Sequence, residues 1–340
     1  MAVRVAVIGA GVMGTDHARI IAGELPGAQL QVVCDAEEVK ARIVADEFGA
    51  FGVGSDPIAV ISRTDVDAAV IASPDDTHST LAIAAIEAGK PVLCEKPLAP
   101  TAEECLRVIE AEKNCTRPIV QLGFMRRFDP SYSAMKAALD DGSIGSALMM
   151  HNFHRNVDSP GTWFTGDMAI TNSASHEFDV ARFVLGTEYT GISVWQPKRR
   201  DERTAPVMMV LETASGQLVN IEVNNNAAYG YDVRGELVGE QGSVFLTAPV
   251  HARYNLGLRS AEHYAPDWRP RFAEAYRLQN KAWIHSIETG APSPIAANAW
   301  DGYQAAVVAE AGVQALNEGR RVAIEPREVP AFYRDLREAA

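Results

Sequence analysis

Cysteine is scarce and scattered. Only Cys34, Cys94, Cys105 and Cys115 occur in 340 residues, and no two of them form a Cys-x-x-Cys pair. That excludes a disulfide framework and leaves a reducing cytosol as the simplest setting. Positive charge is also in deficit: 31 Lys and Arg against 44 Asp and Glu give a formal net charge of -13. Nucleic acid and anionic membrane both require a cationic face, so neither is expected as a partner. Long apolar runs are missing too. The first, residues 3–8, is too short to span a bilayer and leads into glycines instead of a small-residue cleavage site, so neither a membrane segment nor a signal peptide is expected. There is no internal repeat, no low-complexity tract and no metal-ligand spacing. His151 and His154, three apart on a presumed strand, point to opposite faces and do not pair.

What the chain does contain is the composition of an ordinary enzyme-sized protein, 47% hydrophobic and 22% charged. Its length favours two domains. Short apolar runs at 3–8, 29–34, 68–72, 91–94 and 119–123 alternate with helix-like stretches. This is the βαβα rhythm of a parallel sheet covered on both faces. Thr101-Ala102-Glu103-Glu104 has capping-box spacing and predicts a helix start.

Beyond about residue 125 the texture changes. In Leu218-Val219-Asn220-Ile221-Glu222-Val223-Asn224, Val219, Ile221 and Val223 fall on one face and the polar residues on the other, which predicts a half-buried strand. Similar strands are expected at 147–155, 191–196, 207–212, 233–239 and 244–247, and a helix at 300–316. One open sheet needs a cover, so subunit association through its face is expected. The division is drawn at 1–123 for a doubly wound α/β domain and 124–340 for an α+β domain with a large open, mostly antiparallel sheet.

Gly9-x-Gly11-x-x-Gly14 follows a strand and precedes a helix-like segment, residues 17–22, the context a dinucleotide fingerprint requires. The first glycine makes the turn, the second admits the pyrophosphate and the third lets helix and strand pack. Val12 and Met13 complete the loop, and the helix amino terminus faces the phosphates. Asp35 ends the second strand, 21 residues after Gly14, where it can accept from ribose hydroxyls. A carboxylate there repels a 2′-phosphate, so NAD is expected over NADP. Ser73 follows the third run in the same crevice, and His78 is either a cofactor contact or a helix-start residue. Glu95-Lys96-Pro97 closes the fourth run and puts an ammonium where a cofactor and a reacting hydroxyl can meet.

With Glu95-Lys96-Pro97 after this fingerprint, the chain resembles the Gfo/Idh/MocA family of NAD(P)-dependent sugar and polyol dehydrogenases. The segments 123–129, 154–156, 167–170, 176–179, 229–232 and 299–303 look like the family's myo-inositol 2-dehydrogenase branch. The resemblance implies a Rossmann domain, oxidation of a ring carbinol by hydride transfer to NAD, and homotetramers packed through the open sheet. It also implies cofactor contacts from Glu95 and Lys96, and a catalytic group made of the Glu-Lys-Pro lysine, an Asp and a His four residues later. These fall on Lys96, position 172 and His176. Position 172 is Asn, a departure from the branch.

Alcohol oxidation needs a neutral base within reach of the hydroxyl. His176 fits, because the helix predicted over 175–185 would disfavour imidazolium near its amino terminus. Lys96 would bind the alcohol oxygen and favour its alkoxide-like state. Asn172 is read either as a helix N-cap or as a stand-in for the branch's Asp that orients His176 without stabilising its charged form. Asp179 or Asp167 could supply that charge. His154, Asn156, Asp179, Tyr231 and Tyr276 carry over as substrate contacts, the several donors and acceptors a polyol demands. The same chemistry on scyllo-inositol, an inositol derivative or a pyranose is the first alternative. A silent NAD- and sugar-binding sensor is the second.

Overall fold

The computed structural model describes residues 2–247 and 253–338. The chain divides into two compact units, one built from 1–128, 275–306 and 328–340, the other from 129–274 and 307–327.

The first unit holds a sheet of six parallel strands: β1 (Val3–Ile8), β2 (Ala28–Cys34), β3 (Gly52–Gly54), β4 (Ala68–Ile71), β5 (Val92–Cys94) and β6 (Val120–Leu122). Their order across the sheet is β3-β2-β1-β4-β5-β6, and Ala297–Asn298 adds an antiparallel edge to β6. The central strands are apolar throughout because helices cover both faces: Val5, Ala6 and Val7 on β1 and Ala68 to Ile71 on β4 have no exposed surface. Each such valine contributes on the order of 2 kcal/mol of burial. The order reverses between β1 and β4, so the loops leaving their carboxyl ends diverge and open a crevice. The predicted capping box is half formed, with Thr101 Oγ1 accepting from Glu104 N at 3.2 Å ahead of helix Ala102–Glu112.

Glu112 is fully buried in this unit. It accepts from the amides of Ile119 and Val120, at 2.7 and 2.6 Å, and from the Tyr333 hydroxyl at 2.6 Å. That hydroxyl anchors helix Ala331–Glu338.

The second unit is built on β7 (Ala147–Arg155), β8 (Tyr189–Trp195), β9 (Val207–Thr213), β10 (Leu218–Asn224), β11 (Asp232–Gly239) and β12 (Ser243–Phe245). Their order is β12-β11-β7-β10-β9-β8, extended by Val322–Ala323. Only β7 and β10 run parallel. The alternation predicted for β10 is present: Val219, Ile221 and Val223 are buried and Asn220, Glu222 and Asn224 partly exposed. On the open face, Arg155 grips Glu222 with two bonds of 2.7 and 2.9 Å, and Phe153 lies between the guanidinium groups of Arg155 and Arg234. A separate hairpin, β13 (Arg253–Leu256) and β14 (Arg259–Glu262), has no counterpart among the predicted strands. Each of its strands is four residues long, too short for the alternation of Tyr254 and Leu256 with Arg253 and Asn255 to stand out as a period.

Candidate active site

In the first unit, the polypeptide between β1 and helix Val12–Glu24 forms an anion cradle. Gly9 has a φ of 101°, and a Cβ there would collide with the carbonyl of Ala72. A Cβ on Gly14 would collide with the carbonyl of Gly9. At Gly11 the space is open, with nothing within 4 Å. The three glycines thus have different reasons: left-handed backbone at the first, access at the second and helix packing at the third. Gly11 is also the N-cap and makes no side-chain cap bond, so the helix amino terminus turns its dipole toward an anion. Val12 begins the helix half exposed and Met13 follows it.

A cavity of about 790 Å³ opens beside this cradle, lined by Gly9, Gly11, Asp35, Ser73 and the loop beyond it. Asp35 is held by two backbone amides, accepting from Ala10 N at 2.8 Å and from Glu37 N at 2.9 Å. Its charge therefore has a fixed position on the wall, and carboxylate lone pairs remain for hydroxyl groups. Burial, with Asp35 and Asp56 nearby, pushes the neighbouring Cys34 thiol up to about 12, which keeps it neutral and inert. Open space at the second glycine, a helix amino terminus without a side-chain cap and a fixed carboxylate together fit a dinucleotide.

Lys96 lies just past β5, partly buried, between buried Glu95 and Pro97, and the Lys96-Pro97 bond is cis. Glu95 faces away from solvent toward His17, with Oε1 3.0 Å from His17 Nε2. His78 begins helix His78–Glu87, and both its ring nitrogens meet carbonyl oxygens, of Pro97 at 2.7 Å and of Ser73 at 2.9 Å. Tyr276 is buried in this same unit, edge-on to His17.

In the second unit, His176 is the second residue of helix Ser175–Leu185, whose span matches the predicted one, and is 7% exposed. Glu177 and Asp179 on the same helix are buried as well. The N-cap of that helix is Ala174, so the capping reading of Asn172 does not hold. Asn172 instead sits in a π-helical turn, Ala169–Ser173, where its carbonyl accepts from Ser175 Oγ at 2.8 Å. Such turns add a residue to a helix and re-aim side chains. Ser173 in the turn accepts from Asn225 Nδ2 at 3.0 Å, which ties it to the sheet.

His154 and His151 lie on opposite faces of β7. His151 meets Asn220 at 2.7 Å on the open side, while buried His154 Nδ1 is 3.1 Å from Glu177 Oε2. A carboxylate only accepts, so Nδ1 carries the proton and Nε2 keeps its lone pair toward Asn156 Nδ2, 3.4 Å away. Tyr231 packs edge-on against this ring. Glu177 and His17 were not among the sequence candidates. Each is one step from a motif already read, Glu177 beside His176 and His17 three residues past Gly14, but nothing in that spacing names a partner.

Comparison with known proteins agrees over both units. Residues 3–124 match the model of the Gfo/Idh/MocA oxidoreductase family's NAD-binding Rossmann fold, and residues 136–324 match the family's C-terminal alpha/beta domain. Inositol 2-dehydrogenase 1 of Saccharopolyspora erythraea is 47% identical, covering 98% of this chain and 99% of its own. Inositol 2-dehydrogenase of Burkholderia ambifaria is 40% identical over 98% of this chain and 100% of its own. The crystal structure of myo-inositol dehydrogenase from Lactobacillus casei in complex with NAD(H) and myo-inositol superimposes with a TM-score of 0.91 at 31% identity, covering 98% of this chain and 100% of that one. With a nucleotide cradle in one unit, a buried histidine-carboxylate cluster in the other and family models covering both, the chain belongs to the Gfo/Idh/MocA family of NAD-binding oxidoreductases.

Proposed function

We propose that this protein oxidises a ring secondary alcohol of a cyclitol, myo-inositol to 2-keto-inositol, with NAD as the preferred cofactor. The observation that carries the reading is the polar cluster on the otherwise apolar inner face of the second sheet. Met150, Val219, Ile221 and Val223 are buried there beside His154, Glu177 and Asn225. Buried polar groups already oriented by one another present fixed donors and acceptors, the lining that suits a ligand rich in hydroxyls. The full-length inositol 2-dehydrogenase relatives support the same reading.

When bound, NAD supplies the hydride acceptor. Gly9, Gly11, Val12, Met13 and Gly14 would hold its pyrophosphate, Asp35 its adenosine ribose, and Ser73 and Lys96 the nicotinamide side, with Glu95 supporting Lys96 from behind. His176 takes the hydroxyl proton. Lys96 donates to an oxygen of the bound alcohol and favours negative charge there, the electrostatic contribution an ammonium makes. His154, Asn156, Asp179, Tyr231 and Tyr276 bind the remaining hydroxyls. Asn172 orients without adding charge. The fixed carboxylate of Asp35 on the cavity wall supports NAD over NADP, since a 2′-phosphate would meet it at close range. The half-exposed open face of the second sheet, with Met208 and Leu218 at its surface, is the surface for homotetramer assembly.

Asn172 favours one second reading, the same chemistry on another ring polyol. The test is NADH formation across a panel of inositols and pyranoses with NAD or NADP supplied. Turnover greatest on myo-inositol with NAD supports the proposal. Turnover greatest on another polyol supports the second reading, and NAD binding with no turnover on any alcohol overturns both.

A further inference from the structure

We infer that two buried histidines outside the proposed reaction group, His17 and His78, are positioning residues that fasten the backbone on either side of Lys96 and join it to the loops lining the cofactor cavity. The inference rests on the NAD-dependent reading above. His17 has no exposed surface. Its Nε2 donates to Glu95 Oε1 at 3.0 Å, and its Nδ1 accepts from Asn280 Nδ2 at 2.9 Å. The other Glu95 oxygen lies 3.3 Å from the backbone nitrogen of Lys96 itself. Gly123 leaves room for this carboxyl group, since a Cβ there would stand 2.9 Å from its carbon.

His78, 1% exposed, holds the far side of the lysine. Carbonyl oxygens only accept, so a proton on Nδ1 serves Pro97 O and one on Nε2 serves Ser73 O, and either tautomer of the ring binds one of the two directly while lying against the other. The residues immediately before and after Lys96 therefore each meet an imidazole. Those imidazoles belong to the elements that follow the cofactor loops: His17 lies three residues past Gly14, and His78 five residues past Ser73 on the cavity wall. A lysine ends in a flexible four-carbon stem, so its ammonium is placed only as well as its backbone is. Rings serving only as filler would need no polar partner at either nitrogen, and both rings have partners at both.

The test compares His78→Phe, which keeps volume and removes both contacts, with His78→Gln, which keeps one donor. Three quantities are measured: kcat, the NAD dissociation constant, and the rate of Lys96 reductive methylation by formaldehyde and cyanoborohydride, read by peptide mass spectrometry with and without NAD. His78→Phe is expected to lower kcat about 10–100-fold, the cost of a misplacement near 1 Å. Its NAD affinity should stay within about threefold, and the slowing of Lys96 methylation by NAD expected in the wild type should be lost. His78→Gln should fall between. Wild-type kcat and NAD-responsive methylation in His78→Phe overturn the inference. So does a defect confined to NAD affinity, which would make the ring a cofactor contact. If His78→Phe does not fold, wild-type values in His78→Gln overturn it as well. Methylation needs no alcohol, so the clamp is tested even if the substrate panel shows no turnover.

Discussion

The cofactor loop of the first unit and the histidine cluster of the second place their polar groups by different means. In the first, the backbone does most of the work: a left-handed glycine, open space at a second, a helix amino terminus without a side-chain cap, and an aspartate fixed by two peptide N–H groups. In the second, side chains position one another, with Glu177 holding His154 and Asn225 holding Ser173. Backbone devices demand particular residue types at fixed spacing and tolerate little change. Side-chain pairs bridge elements far apart in sequence and can be altered one partner at a time.

Substitutions can break this contrast. Gly14→Ala should have the largest effect, because its Cβ collides with backbone that cannot swing away. NAD affinity measured by calorimetry is expected to fall at least about 100-fold, and a value near wild type would show that the cradle adapts. Glu177→Leu should be milder, lowering kcat/KM about 10–100-fold as His154 loses its fixed tautomer. Glu177→Gln keeps an acceptor for Nδ1–H and should recover most of that loss. Equal defects in Leu and Gln variants would mean that charge, not orientation, is what Glu177 supplies.

Asn172→Asp should change less, raising kcat by about three- to tenfold, since the added carboxylate stabilises the imidazolium formed as His176 takes a proton. Rates and pH profiles on one alcohol check this, and an unchanged rate with an unmoved acidic limb would remove Asn172 from the base's environment.

The smallest expected effect is on stability and lies away from the site. Burial pushes the Glu112 carboxyl above its ordinary range, opposed by the Tyr333 hydroxyl and the Val120 and Ile119 amides. A carboxyl raised in the folded state contributes its stability below the unfolded value and loses it as pH climbs through the folded one. The urea midpoint of the wild type should therefore carry a decline toward neutral pH that Glu112→Gln removes. Tyr333→Phe should steepen the decline and cost about 1–2 kcal/mol.

The same contrast explains what was legible in the sequence. Five parallel strands showed as apolar runs because both faces of that sheet are covered, and β10 showed as alternation because one face is. Gly9, Gly11, Gly14 and Asp35 could be read from spacing, since a left-handed turn, an open approach, close helix packing and a strand-end carboxylate fall at fixed distances along the chain. The π-helical turn at Ala169–Ser173 could not, because its extra residue is decided by packing and by the Asn225 bond, 52 positions away. The two-residue strand pairings at Ala297–Asn298 and Val322–Ala323 are too short to carry any period. His17 was visible only as a helix residue; its partners Glu95 and Asn280 lie 78 and 263 positions away.

The double tether of Asp35 also bears on how this protein could be re-engineered or could drift. On the proposed preference for NAD, replacing Asp35 to admit a phosphorylated cofactor would release the Ala10 amide at the same moment, loosening the turn beside the cradle that any dinucleotide needs. A switch of cofactor therefore cannot be a single neutral step. It requires a second residue that takes over the Ala10 amide before, or together with, the loss of the carboxylate.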